Sequence, residues 1–252
     1  MKTKKILVSQ PRPTSDKSPY FDIEKKYGVE IVFRPFIKVE GLSAKEFRQS
    51  KINLADFTAV ILTARTAVDN FFRLCAESRV EIPDTMKYFC TSESVALYLQ
   101  KYIVYRKRKI FFGLSGKLDD PQLAQALHKH AKEKFLLPVS DVHKGSEAAL
   151  DQQKISYTQA VMYRTVSNDF SADEAFDYDM LLFFSPQGIA SLKKNFPDFD
   201  QEKQGIAIGC YGASTCEAAE KAGLKLDIAA PSPSIPSMPA ALESYLRAEK
   251  GE

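Results

Sequence analysis

Ala59-Val60-Ile61-Leu62-Thr63-Ala64-Arg65-Thr66-Ala67-Val68 and Met180-Leu181-Leu182-Phe183-Phe184-Ser185-Pro186-Gln187-Gly188-Ile189 share one pattern. Each opens with an apolar run, turns at a hydroxyl residue and continues with helical spacing. A short unbroken apolar run bounded by turn residues reads as a strand buried on both faces, the kind found in parallel sheets. Behind the first run, Val68, Phe71, Phe72 and Cys75 share one face of a helix expected over residues 66–78. Both copies continue with a short loop, a second strand and a second hydroxyl-rich turn. These turns are Thr91-Ser92-Glu93-Ser94 and Gly212-Ala213-Ser214-Thr215. Strand, helix and strand in succession mean parallel sheets, and the repetition predicts two halves of similar build.

Working outward, strands are expected over residues 6–8, 59–63, 87–90, 110–112, 134–139, 179–184, 205–209 and 227–230. Helices are expected over 20–27, 43–51, 66–78, 94–102, 121–131, 147–154, 188–195, 214–222 and 240–250. Gly28 and Gly223 stand where a left-handed helix cap belongs, and Ser43 with Glu46 has capping-box spacing. Residues 30–39 and 157–166 read as extended, and Pro35 demotes the first to an edge or linker. Paired, they form a two-stranded connector, and the first strand then belongs with the C-terminal half. The expected fold class is α/β: two domains with parallel sheets flanked by helices, joined by that connector. One domain is discontinuous, residues 1–36 plus 167–252, and residues 37–166 are inserted into it. Nine or ten strands divide more readily into two five-stranded sheets than into one large one.

Composition narrows the function. Of 252 residues, 44% are hydrophobic and 27% charged, an ordinary globular mixture. A net charge of +3 is too mild for a dedicated nucleic-acid binder but suits an anionic small molecule. Four cysteines, none in a C-x-x-C pair, read as free thiols. Behind Met1-Lys2-Thr3-Lys4-Lys5 the apolar run is only Ile6-Leu7-Val8, short of the roughly 7–15 residues of a signal peptide. No stretch approaches the ~18 apolar residues of a membrane span, so a cytoplasmic protein is expected. Gly113-Leu114-Ser115-Gly116-Lys117 resembles a truncated phosphate loop, but the spacing is wrong and Leu118 replaces the metal-binding hydroxyl. His128 and His130 are two apart on a helix and cannot share an ion. Tyr105-Arg106-Lys107-Arg108-Lys109 reads as a solvated loop rather than a nucleic-acid contact. Neither metal nor cofactor is expected.

What remains is a set of hydroxyl-rich turns where strands hand over to helices: Ser9-Gln10, Thr63 to Thr66, Ser92 to Ser94, Ser140-Asp141, Ser185 to Gly188 and Ser214-Thr215. Ligands of parallel sheets bind at the strand C-termini. Helix N-termini there offer unpaired N–H groups and positive partial charge. Serine and threonine are also the favoured helix caps, so any one turn alone reads as a cap. Repetition across both halves points to a cleft for a ligand with many carboxylates.

These residues resemble the uroporphyrinogen-III synthase family. The resemblance rests on the paired turns at Leu62 to Val68 and Phe183 to Ile189. It also rests on Val161-Met162-Tyr163-Arg164-Thr165, on Ile208-Gly209 followed by Ser214-Thr215-Cys216-Glu217-Ala218-Ala219-Glu220-Lys221-Ala222-Gly223-Leu224, and on Ala230-Pro231-Ser232-Pro233-Ser234 before the last helix. It implies cyclisation of the linear tetrapyrrole hydroxymethylbilane, with inversion of ring D and loss of water, and no metal or redox cofactor. Substrate binding is then expected of Ser9, Thr63, Arg65, Thr66, Ser92, Ser94, Ser140, Ser185, Gln187, Gly188, Ser214 and Thr215. Tyr163 is the expected general acid, since a phenol with a pKa near 10 is protonated at pH 7. Tyrosine is equally at home packing in a strand ladder. His128 and His130 lie on a helix and His143 lies beyond the Ser140 turn. The expected partner is the small-molecule tetrapyrrole alone, with no nucleic acid and no membrane, in a monomer with transient contact to the preceding pathway enzyme. The competing reading is a non-catalytic two-domain binding protein for a polycarboxylate. A receiver-type signalling domain lacks support, because Ser9-Gln10 stands where its acidic cluster would be.

Overall fold

The computed structural model describes residues 2–142 and 148–251. In chain order its elements are β1 (Lys5–Val8), α1 (Pro19–Tyr27), β2 (Glu30–Phe33), β3 (Ile37–Gly41), α2 (Ala44–Phe47), β4 (Ala59–Leu62), α3 (Arg65–Glu77), β5 (Lys87–Cys90), α4 (Glu93–Tyr98) and β6 (Ile110–Phe112). There follow α5 (Pro121–Lys129), β7 (Phe135–Ser140), α6 (Ala148–Gln152), β8 (Tyr157–Ser167), β9 (Met180–Phe183), α7 (Pro186–Asn195), α8 (Gln201–Gln204), β10 (Ala207–Tyr211), α9 (Ala213–Lys221), β11 (Ile228–Ala230) and α10 (Met238–Lys250). Glu147, where one expected helix begins, and His143 lie outside the described residues. The chain divides into two compact units, Met1–Lys38 with Val166–Glu252, and Val39–Thr165.

The first unit holds a five-stranded parallel sheet in the order β11-β10-β9-β1-β2. Alternate residues of one apolar run serve opposite faces, as strand geometry requires. Ile6 and Val8 pack with Met180 and Leu182 beneath α1 and α10, whereas Leu7 packs with Leu181 and Phe183 beneath α7 and α9. The inserted unit follows the same rule in a six-stranded sheet ordered β3-β8-β7-β4-β5-β6. Val60 and Leu62 face α3 and α4, and Ala59 and Ile61 face α5 and α6.

One expectation is corrected and another extended. Residues 30–39 are not one extended arm: β2 joins the first sheet beside β1, and the strand breaks at Arg34-Pro35-Phe36 before β3 begins. Pro35 brings no N–H to a ladder, and Arg34 secures the break. Its guanidinium donates to Pro35 O (2.6 Å), Asn168 O (3.1 Å) and Asp169 O (3.0 Å). It also forks onto both carboxylate oxygens of Glu174 (2.7 and 3.0 Å). The expected pairing of the two extended segments is present, and it is built into a larger sheet. β3 lies beside β8 in the second sheet, and the first half of β8 runs parallel to β7, with Tyr157 opposite Phe135. Asn168 N–H donates to Phe36 O (2.8 Å) and Leu42 N–H to Met162 O (2.9 Å), so the segments run antiparallel. The described residues therefore form eleven strands, five and six to a sheet, instead of nine or ten.

Local signals hold where the physics is local. Gly28 caps α1 at φ 66°, its N–H on Glu24 O. Ser43 and Glu46 form the reciprocal capping box, although the helix they start tightens into a 3-10 turn after four residues. All four cysteines are free thiols, and Cys75, Cys90 and Cys210 are buried.

Gly209 tests the packing of the first sheet. A Cβ there would sit 2.5 Å from Leu182 Cδ2 and 3.3 Å from Ile228 Cβ, on the two neighbouring strands. Gly209→Ala should destabilise the protein by about 1–3 kcal/mol, the usual range for overpacking. In urea unfolding this appears as a lower midpoint at unchanged slope. A wild-type midpoint would show that β9 and β11 are not packed as described.

Candidate functional site

In each sheet an early strand, β1 in one and β4 in the other, sits inside with later strands on both sides of it. β2 lies on one side of β1 and β9 on the other; β5 lies on one side of β4 and β7 on the other. Such reversals open a crevice at the strand C-termini, where ligands of parallel sheets bind. Ser9 and Ser185 follow β1 and β9, while Thr63 follows β4 and Ser140 ends β7. Four of the six turns singled out in the sequence thus lie at these two reversals.

In the inserted unit, Thr91 Oγ1 donates to Thr63 O (3.1 Å), joining the ends of β4 and β5. Thr63 and Thr91 line a depression of about 420 Å³, closed by Gly116, Lys117, Leu118 and Asp119 and by Ala149 and Gln152 of α6. Asp120 shapes its rim. One carboxylate oxygen accepts the N–H groups of Leu114 (2.9 Å) and Ser115 (2.8 Å), the other those of Gln122 (3.0 Å) and Leu123 (3.2 Å). These donors, Ser115 N–H foremost, hold its carboxyl well below the usual carboxylate range. A Cβ on Gly113 would lie 2.6 Å from Asp120 Cγ, so only glycine fits there. The amides that a phosphate loop would offer a ligand are taken by the chain's own carboxylate. Sequence reasoning missed Asp120 and Lys117. The available signal was an aspartate directly before Pro121, the cap arrangement of a helix that starts on proline.

The helix starts differ in what they leave open. α3 begins at Ala64, which has no capping side chain, and among the described residues nothing accepts the N–H groups of Arg65, Thr66 and Ala67. α9 begins at Gly212 (φ 91°), leaving the N–H groups of Ala213 and Ser214 open in the same way. Ser92 Oγ lies 3.1 Å from Ser94 Oγ rather than on backbone. Arg65 is exposed, its guanidinium 5.3 Å over the Tyr98 ring. The Tyr98 hydroxyl meets both oxygens of Asp69 at 3.0 Å.

Three expected binding residues have roles in the fold. Ser185 Oγ caps α7 by accepting Gly188 N–H (3.2 Å), so neither that hydroxyl's acceptor site nor that amide is open. A Cβ on Gly188 would sit 3.2 Å from the Phe183 ring, closer than an ordinary contact. Thr215 turns inward and is 1% exposed. Gln187 is half-buried, Ser214 is exposed, and Ser9 is buried with its N–H on Leu182 O (3.0 Å).

Tyr163 stands opposite Ser140 at the C-terminal edge of the second sheet. The register shifts between Val139 and Ser140, so Met162 is an extra residue in β8. Unbroken alternation would send Tyr163 to the face opposite Met162. The bulge re-aims it, as bulges do, and it packs on the same core as Ala160 and Met162, the core that α3 covers. The ring is half-buried, and burial raises the phenol pKa. Among the described residues nothing pairs with its hydroxyl, and no group of three or more His, Cys, Asp or Glu is arranged to hold a metal.

Residues 22–240 match the family model for uroporphyrinogen-III synthase HemD. Among solved structures, the uroporphyrinogen-III synthetase of Helicobacter pylori 26695 is 15% identical, with 97% of this chain and 99% of that one aligned at a TM-score of 0.55. At that identity the likeness is one of fold. The uroporphyrinogen III synthase of the extremely thermophilic bacterium Thermus thermophilus, a mutant form, is also 15% identical, over 99% of this chain and all of that one, with a TM-score of 0.47. No curated protein matches the chain.

The Asp120 clamp gives a pH signature. Its folded pKa is depressed below that of a free aspartate, about 3.9. Its stabilisation is complete above that value and is lost as pH falls through the folded pKa. Asp120→Asn should therefore lower the urea midpoint at pH 7, and the gap to wild type should begin to narrow below about pH 4. Amide exchange at Leu114 and Ser115 should speed up in the variant. A gap that widened in acid would contradict the clamp.

Proposed function

The chain belongs to the uroporphyrinogen-III synthase family, and we propose the parts its own residues play in that family's reaction, the cyclisation of hydroxymethylbilane. The reaction expels hydroxide from ring A, leaving an azafulvenium cation. The substituted carbon of ring D attacks it, giving a spiro intermediate that fragments and recloses with ring D inverted. Closure without the enzyme gives the uninverted isomer. The enzyme must therefore hold ring D in place and help the hydroxyl depart.

The substrate carries eight carboxylates, and many modest donors suit it better than one dominant charge. In our reading the open N–H groups at the start of α3 and of α9 each take a carboxylate. The hydroxyls of Thr63, Thr66, Ser92, Ser94, Ser140 and Ser214 add donors, as do Ser9 and Gln187. Arg65, steadied on Tyr98, and Lys117 at the depression's rim supply cations. Tyr163 is the general acid, giving its phenolic proton to the departing hydroxyl. The observation that carries this assignment is the bulge, which sets an unpaired phenol within β8 opposite Ser140, the last residue of β7. Burial keeps that phenol protonated, so the proton stays available until the C–O bond breaks.

Among the described residues no helix is long and apolar enough to cross a membrane. We place the enzyme in the cytoplasm as a monomer, in transient contact with the enzyme that makes its substrate. Direct transfer would limit the spontaneous closure that competes with it.

Purified protein, without added metal or nucleotide, should convert hydroxymethylbilane mainly to isomer III. Isomer I alone, at the spontaneous rate, would leave only a polycarboxylate-binding protein. General acid catalysis is typically worth about 10²–10⁴-fold. Tyr163→Phe keeps the ring and removes the proton, so it should fold normally and lose at least about tenfold in turnover, water replacing the donor in part. Wild-type turnover would reduce Tyr163 to packing.

A further inference from the structure

At the N-terminal ends of β5 and β6, the ends away from Thr63 and Thr91, the inserted unit carries a second cavity, of about 630 Å³. Nothing in the cyclisation uses it. Its floor is apolar, built by Phe72, Cys75, Met86 and Tyr88, and Ile103 and Val104 form a wall. The Phe72 and Tyr102 rings, stacked in parallel with centroids 4.5 Å apart, both line the cavity. Val104 is 78% exposed, an unusual place for an aliphatic side chain beside a concave apolar surface.

The basic run in the sequence closes the same cavity. Arg106 and Lys109 line it, and Lys107 and Arg108 stand between them in the turn made by Lys109 N–H on Arg106 O (2.9 Å). Among the described residues no carboxylate pairs with Arg106. Lys109 Nζ reaches Asp84 only at 3.9 Å, and that aspartate is 93% exposed. The size falls inside the range of small-molecule pockets, about 300–1,000 Å³, and an apolar body with a few placed charges is how such pockets are lined.

We propose that this cavity is a binding site for a small amphipathic anion, whose apolar body packs on the Phe72, Met86, Ile103 and Val104 side chains and whose single acidic group reaches Arg106 and Lys109. The apolar wall sets affinity through area removed from water. The unpaired guanidinium sets orientation, since a charge-assisted hydrogen bond is stronger than a neutral one. The site lies at the other end of the sheet from the edge that holds Tyr163 and stands independently of the catalytic assignment.

The 252-residue chain is titrated with 1-anilinonaphthalene-8-sulfonate, followed by fluorescence and by calorimetry for stoichiometry. N-phenyl-1-naphthylamine, the same body without the sulfonate, is run alongside. One site is expected, with the neutral probe at least about tenfold weaker, the loss of one charge-assisted contact. Arg106→Glu and Val104→Asp, both exposed changes that leave circular dichroism unaltered, should each weaken the sulfonate by about tenfold. Both variants should form isomer III at the wild-type rate. Equal affinity of the two probes, or sulfonate binding that neither substitution alters, would overturn the proposal. So would protein that sediments with phosphatidylglycerol vesicles through Arg106 while sulfonate binding is unchanged, because the patch would then read a membrane surface.

Discussion

The first unit exists only because Ile6, Leu7 and Val8 pair with Met180, Leu181 and Leu182. The Asp179 carboxylate fixes the start of that pairing by accepting the N–H groups of Lys4 and Lys5, both at 2.8 Å. Bringing such distant residues together carries a loop-closure cost, although each doubling of length adds only about 0.6 kcal/mol. The inserted unit reduces even that. Its first and last strands are antiparallel neighbours, so the chain leaves at Phe36 and returns at Asn168, one hydrogen bond away. Arg34 then ties both sides of the exit, holding Glu174 and three backbone carbonyls with one guanidinium. A planar fork suits this task in a way that a lysine ammonium does not.

Parallel pairing has a functional consequence. Every strand of the first sheet ends at the same edge, so its turns gather there without any specific attraction between them. Which of these turns stay open to a ligand is decided by the protein's own polar groups. Asp120 fills the amide nest at residues 114–115, and Ser185 closes the start of α7. The starts of α3 and α9 have Ala64 and Gly212 in the capping position, two residues with no side-chain acceptor. With alanine in that position a helix forgoes roughly 0.5–2 kcal/mol, with glycine only a few tenths, and the carboxylates proposed to bind there would restore those hydrogen bonds.

Much of this was legible because parallel strands buried on both faces leave unbroken apolar runs, and the runs at Ile61 and Leu181 are of that kind. Gly28 and the Ser43–Glu46 box were legible because each is decided within one helical turn. The break at Arg34 was not, since the partner that explains it, Glu174, lies 140 positions away. The bulge that turns Tyr163 leaves no mark in Val161-Met162-Tyr163; register is a property of two strands and was visible only once β7 lay beside β8. The hydroxyl-rich segments fall at or next to the ends of strands and helices, but composition alone could not separate them. Ser185 is a cap and Thr215 an inward-facing helix residue, while Thr63 lines a depression, and the three read alike in one dimension.

The proposed acid fits the ligand as well as the leaving group. A substrate with eight carboxylates surrounds itself with negative charge, and like charge raises the pKa of any acid nearby. A side-chain carboxyl in such a site would meet repulsion whenever it ionised. A histidine would be protonated by the same field and held as an ion-pair partner. A phenol is neutral while it holds its proton, and both burial and bound substrate push its pKa in one direction, upward. It is therefore loaded under all conditions in which substrate is present. Its weakness as an acid is offset by timing, because the proton need move only as the C–O bond breaks and the departing oxygen becomes far more basic than the phenolate left behind.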